Sequence, residues 1–90
     1  AAGKVVGAGD FSAQAVQVFE NLKRALAAAG AGFGDLVKMN VYLTDPRFRE
    51  PMAEVRGRYL TGRLPASTLV TVAGLAHPDY LLEIEAVAAK

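Results

Sequence analysis

Ninety residues, 52% of them hydrophobic, with a net charge of +1, describe one small domain that has ample apolar material for a core and no global field favouring nucleic acid or membrane. The absence of cysteine excludes disulfides, thiolate metal sites and a cysteine nucleophile, and one histidine, His77, cannot make a histidine-rich metal site. No apolar run approaches the roughly 20 residues of a bilayer-spanning helix, and the first residues lack the charged-then-apolar order of a signal peptide, so the sequence reads as a soluble cytoplasmic protein.

Residues 1–9 are glycine-rich with one apolar pair, Val5-Val6, and read as a loop or the end of a strand. Asp10 then opens a helix, its carboxylate suited to free backbone N–H groups at the positive helix end. Ala15, Val18, Phe19, Leu22, Leu26 and Ala29 recur at spacings of three and four, one face of an amphipathic helix over about Phe11–Ala29. Gln14, Gln17, Glu20, Asn21, Lys23 and Arg24 lie mostly off that stripe, and Gly30 supplies the left-handed residue that commonly ends a helix.

After a connector, Leu36 to Thr44 alternates. Val37, Met39, Val41 and Leu43 form the apolar face, and Lys38, Asn40, Tyr42 and Thr44 the polar one, the pattern of a half-buried strand. Asp45-Pro46 breaks it. A second helix follows, with Pro51 in its first turn, an apolar stripe of Met52, Val55 and Tyr59, and Thr61-Gly62-Arg63 at its close. Leu64–Leu75 and Leu81–Ala88 are apolar, β-branched runs bounded by turn formers and read as strands. The short Ala76–Tyr80 break makes antiparallel pairing of these two strands the simplest expectation, separate positions in one sheet being the other. On the last strand Glu83 and Glu85 share one face, while Leu82, Ile84 and Ala86 share the other.

The order is therefore strand end, helix, strand, helix, strand, strand, an α+β domain over residues 1–90 with two helices on one face of a small sheet. The other face is expected either to be solvated or to pack on another subunit. Arg47, Arg49, Arg56, Arg58 and Arg63 are half of the ten cationic residues, opposed between positions 47 and 63 only by Glu50 and Glu54. A solvated helix face with i,i+4 pairs accounts for them. Without interleaved aromatics they are a weak nucleic-acid signal. The glycine clusters are not followed by Gly-Lys-Ser/Thr, so they form no phosphate loop. Ser67 lacks the histidine and third partner that a nucleophile needs.

Val37-Lys38-Met39-Asn40-Val41-Tyr42-Leu43-Thr44-Asp45, then Pro65-Ala66-Ser67-Thr68, then Glu83-Ile84-Glu85-Ala86-Val87-Ala88, resemble the Rid/YjgF family, also labelled L-PSP endoribonuclease or translation initiation inhibitor. Asp10-Phe11-Ser12-Ala13-Gln14 and Val18–Lys23 match the same pattern. The resemblance implies a chorismate-mutase-like domain, a homotrimer with clefts between subunits, and hydrolysis of 2-imino and 2-enamino acids to 2-keto acids and ammonia. In that chemistry an arginine clamps the substrate carboxylate and a glutamate positions water. No cofactor or metal is implied, and the partners are a small carboxylate or imine ligand and further copies of the chain.

Glu83 stands at the position of the family's glutamate and is the candidate catalytic residue, against the plainer reading of a solvated strand carboxylate. Ser67 stands where the family has its arginine after Pro-Ala. A serine cannot neutralise a carboxylate, so Arg56 or Arg63 is the candidate replacement clamp. Tyr42 is a candidate ligand contact, weighed against ordinary sheet packing. The family domain is longer at its N-terminus by about two strands, and this chain is expected to lack them. The expected function is that of an imine/enamine deaminase family member with weakened or redirected activity; the alternative is a non-catalytic metabolite-binding trimer, and an RNA-binding or RNA-cleaving protein ranks third.

Overall fold

A computed structural model describes residues 7–89, and the strand end expected around Val5-Val6 lies outside them. Five regular elements carry the fold: α1 (Phe11–Ala28), β1 (Leu36–Leu43), α2 (Arg49–Tyr59), β2 (Ala66–Thr71) and β3 (Leu82–Ala88). Short 3₁₀ turns, Phe33–Asp35 and Pro46–Phe48, precede β1 and α2.

Asp10 caps α1 by accepting a hydrogen bond from the Ala13 N–H at 3.1 Å. At the other end Gly30 takes φ 75°, a left-handed conformation that costs a residue with a Cβ. The helical stripe meets the core through Phe11, Ala15, Phe19 and Leu26, with Val18 and Leu22 packed beside them. In α2, Met52 and Val55 are buried, and the Tyr59 ring stacks on Phe19 with centroids 5.0 Å apart. Pro51 falls in the first turn of this helix, where its missing N–H leaves no intrahelical bond unmade.

The sheet order is β2-β1-β3. The last two strands therefore do not pair with each other as the simplest reading held. Instead β1 lies between them, parallel to β2 and antiparallel to β3. Two strands joined through a helix pair in parallel readily, and α2 is that crossover. β1 also has the strongest alternation, with Met39, Val41 and Leu43 all fully buried, so the centre of the sheet is where it buries most. The connector from β2 to β3 crosses the end of β1. It is tied there by the Val72 N–H on the Leu43 carbonyl at 2.8 Å and the Thr44 N–H on the Leu81 carbonyl at 3.1 Å.

Registered neighbours place Met39, Val41 and Leu43 with Ser67, Leu69 and Thr71 and with Ala86, Ile84 and Leu82 on the helix-covered face. Lys38, Asn40 and Tyr42 share the other face with Ala66, Thr68 and Val70 and with Val87, Glu85 and Glu83. One expected core residue is displaced. Leu36 pairs with Ala88 and Lys38 with Val87, so Val37 is an extra residue in β1, a β-bulge. The bulge turns Leu36 inward at 3% exposure and leaves Val37 at 43%.

Gln14, off the apolar stripe, is nevertheless buried at 4% exposure. Its amide donates to the carbonyls of Asp79 at 2.8 Å and Gly7 at 3.3 Å, and its oxygen accepts from the Leu81 N–H at 2.9 Å. One side chain thus joins α1 to the segment entering β3. Gly7 fits against the same turn because it has no side chain: a Cβ there would lie 2.7 Å from that of Ala13.

Candidate functional site

Two features of the folded chain carry chemistry, and they lie on opposite faces of the sheet. The open face holds Tyr42 flanked by two carboxylates from β3. Glu83 is directly across the strand pair from Tyr42, and Glu85 is one diagonal away. The Tyr42 hydroxyl donates to Glu85 Oε1 at 2.5 Å. This bond and the negative charges of Glu85 and Glu83 raise the Tyr42 pKa above the ordinary phenol value, because ionisation would remove the donor and add a third negative charge. Glu83 is exposed and takes no part in the Tyr42 bond.

The second feature is a groove of about 580 Å³ between α2 and the edge strand β2, lined by Pro46, Arg47, Arg49, Glu50, Ala53 and Leu69. Helix periodicity explains its wall. Arg49, Ala53 and Arg56 are spaced by four and three residues, so they lie along one face of α2. Ala53 removes bulk at the middle. Leu69 and Ser67, two residues apart on β2, point to the same side of the sheet. Arg56 Nη1 donates to Ser67 Oγ at 3.4 Å, a long contact between α2 and β2; neither residue lines the groove.

In the groove wall, Arg47 grips Asp45 in a two-pronged pair, Nη2 to Oδ2 at 2.7 Å and Nε to Oδ1 at 3.1 Å. Asp45 also accepts from the Arg47 backbone N–H at 2.8 Å. Those bonds hold its carboxyl down at about 2, from an ordinary 3.8. Among the described residues the Lys/Arg ion pairs are Arg47–Asp45 and Arg58–Glu54, so neither Arg49 nor Arg56 is neutralised by one. No group of three or more His, Asp or Glu side chains converges as a metal site among the described residues, and no helix there is long and apolar enough to cross a membrane.

The family described as Endoribonuclease L-PSP matches residues 1–90. The chain belongs to this family, the Rid/YjgF proteins. Protein DfrA of Myxococcus xanthus is 44% identical over 80 residues, covering 89% of this chain and 60% of DfrA. TdcF of Escherichia coli, which carries the provisional name reactive intermediate deaminase, is 36% identical over 84 residues, covering 90% of this chain and 64% of TdcF. The crystal structure of the Rid-family protein YyfB from Yersinia pestis superposes with a TM-score of 0.88 at 35% identity, over 100% of this chain and 70% of that one. This Rid-family chain thus spans about 60% of the length of DfrA.

Against that family frame the candidate residues separate into two groups. Arg56 and Ser67 come together across α2 and β2, outside the lining of the groove. Tyr42 and Glu83 come together on the open face. Arg63 sits in the exposed turn between α2 and β2 and is not among the groove-lining side chains. Arg49 and Leu69 were missed from sequence as groove residues. The signal for Arg49 was its place in the Arg49–Ala53–Arg56 repeat on α2. Leu69 carried none, because its exposure depends on β2 being an edge strand.

Proposed function

We propose that this Rid/YjgF chain is a hydrolytic deaminase of 2-imino acids in which Arg56, with Ser67, takes over the task of the family's arginine. The observation that carries the reading is the Arg56–Ser67 contact between α2 and β2: a guanidinium in no ion pair among the described residues stands beside the residue at the family's arginine position. A guanidinium meets a carboxylate with two parallel hydrogen bonds, and the serine hydroxyl adds one more.

Glu83 and Ser67 lie on opposite faces of the sheet within one chain. The two are joined when the open face of one copy lies against the β2 edge of another, so the reading includes a homotrimer with its clefts between subunits. The exposed Val70 and Val87 on the open face are apolar surface that such packing would cover. In the cleft, Glu83 orients a water and takes its proton as the oxygen adds to the imine carbon. The resulting amino alcohol then expels its nitrogen as ammonia and leaves the 2-keto acid. One water is consumed, no electron changes hands and no cofactor is required. A cytoplasmic site of action belongs to the same reading.

The test is ammonia release from 2-imino acids generated in situ by an amino-acid oxidase, comparing the wild type with Ser67→Arg, Arg56→Met and Glu83→Gln. Activity in the wild type that falls by one to two orders of magnitude in Arg56→Met and in Glu83→Gln supports the reading; this is the expected scale for losing a charged hydrogen bond of about 1.5–3 kcal/mol. Activity only in Ser67→Arg refutes it and favours a metabolite-binding protein that has lost turnover. Affinity for RNA that falls steeply with salt, without imine hydrolysis, would favour the third class.

A further inference from the structure

Tyr42 has a single hydroxyl proton and two carboxylates beside it. Glu83 lies directly across the strand pair, where opposed Cβ atoms stand about 4.5–5.5 Å apart, and Glu85 lies one diagonal away. The proton is given to Glu85 Oε1, at 2.5 Å. The phenol holds that proton tightly, since the bond to Glu85 and the flanking charges raise its pKa. Glu83 is in no ion pair among the described residues. The choice of acceptor matters for a base. An ionised carboxylate only accepts hydrogen bonds, and one that accepts from a hydroxyl is a weaker base. With its proton on Glu85, the Tyr42 oxygen has only acceptor capacity left for Glu83. That offers a carboxylate nothing, but it receives the O–H that forms once Glu83 is protonated. Such an interaction exists only after proton transfer, the condition for speeding a step rather than tightening the ground state.

We propose that Tyr42 and Glu85 are positioning residues for Glu83. Glu85 holds the Tyr42 proton away from Glu83, which leaves Glu83 an uncapped base, and the Tyr42 oxygen accepts from Glu83 once the proton has moved. This inference rests on the reading above, in which Glu83 takes the proton of the attacking water. The proton passes from water to Glu83 and from Glu83 to the departing nitrogen; Tyr42 and Glu85 neither gain nor lose one.

Ammonia release from the imino acid of alanine, generated in situ, is compared for the wild type, Tyr42→Phe, Glu85→Leu and the double variant. Tyr42→Phe is expected to lower kcat by about three- to tenfold, the scale of one hydrogen bond, and to leave KM unchanged. Glu85→Leu lowers kcat further, by about tenfold more, because the released hydroxyl turns to Glu83 and caps it. The double variant returns kcat to the Tyr42→Phe level, since no hydroxyl is left to cap the base. A merely structural Glu85 gives no such rescue: damage to packing or assembly is not undone by removing one more oxygen. Additive losses in the double variant, a Glu85→Leu effect smaller than that of Tyr42→Phe, or a change in KM alone overturns the inference. If the wild type hydrolyses the imine no faster than buffer, the deaminase reading fails and a crystal structure of Glu85→Leu decides this one separately. A Tyr42 hydroxyl within about 3 Å of a Glu83 oxygen sustains the diversion of the proton. A hydroxyl left pointing at solvent overturns it.

Discussion

Replacing Gln14 by leucine tests how far the fold depends on one buried amide. Leucine has a similar volume, so the change removes hydrogen bonds without opening a large cavity. Three bonds are lost: those to the Asp79 and Gly7 carbonyls and the one from the Leu81 N–H. At about 0.5–1.5 kcal/mol each the sum is about 3 kcal/mol, and the part-buried Leu81 N–H left without a partner keeps it from being smaller. Against the 5–15 kcal/mol typical of a small domain, that is a large share. Denaturant unfolding should show a lowered midpoint with an unchanged slope, because the surface exposed on unfolding is nearly the same. Hydrogen exchange should report lost protection at the Leu81 amide in particular. Gln14→Glu is the control: it retains the acceptor for Leu81 but turns a carboxylate toward two carbonyls, and should be no better than leucine. If Gln14→Leu unfolds within about 0.5 kcal/mol of the wild type, the clamp contributes nothing net and the argument from burial is wrong.

Phe19→Ala should cost about 3–5 kcal/mol in equilibrium unfolding, since a fully buried ring is removed together with its stack on Tyr59. Val37→Thr should stay within about 0.5 kcal/mol of the wild type, while Met39→Ala should cost about 2–5 kcal/mol; similar losses at both would contradict the bulge. Asp45 has its pKa lowered from 3.8 to about 2, so the stability it contributes is present above 3.8 and is lost as pH falls through 2. The urea midpoints of wild type and Asp45→Asn should therefore differ at pH 5 and converge toward pH 2, and a gap independent of pH would refute the pairing. The raised pKa of Tyr42 should move down toward the ordinary phenol value in Glu85→Gln, as read from the Tyr42 ring by NMR during an alkaline titration. No movement would mean that the bond to Glu85 does not govern it.

Local chemistry was enough to identify both helices and their apolar stripes, the caps of α1, and most of the strand faces. Asp10, Gly30 and the periodic apolar residues act within a few positions of one another, and strand alternation assigns Glu83 and Glu85 to one face and Ile84 to the other whatever the partner strand. Three features required the tertiary structure. Strand order was open because a connector of moderate length permits either a hairpin or a passage across a third strand; burial of β1 at the centre decided it. Val37 was misplaced because a bulge depends on how two strands register, not on the residues of one. Gln14 looked solvated on its helix, and became buried only because the segment leading into β3 supplies two backbone partners 65 and 67 residues away. The division of the site has the same origin. Ser67 and Glu83 are each candidate site residues through the family resemblance alone, and the parity of two strands on either side of β1 sets them on opposite faces of the sheet.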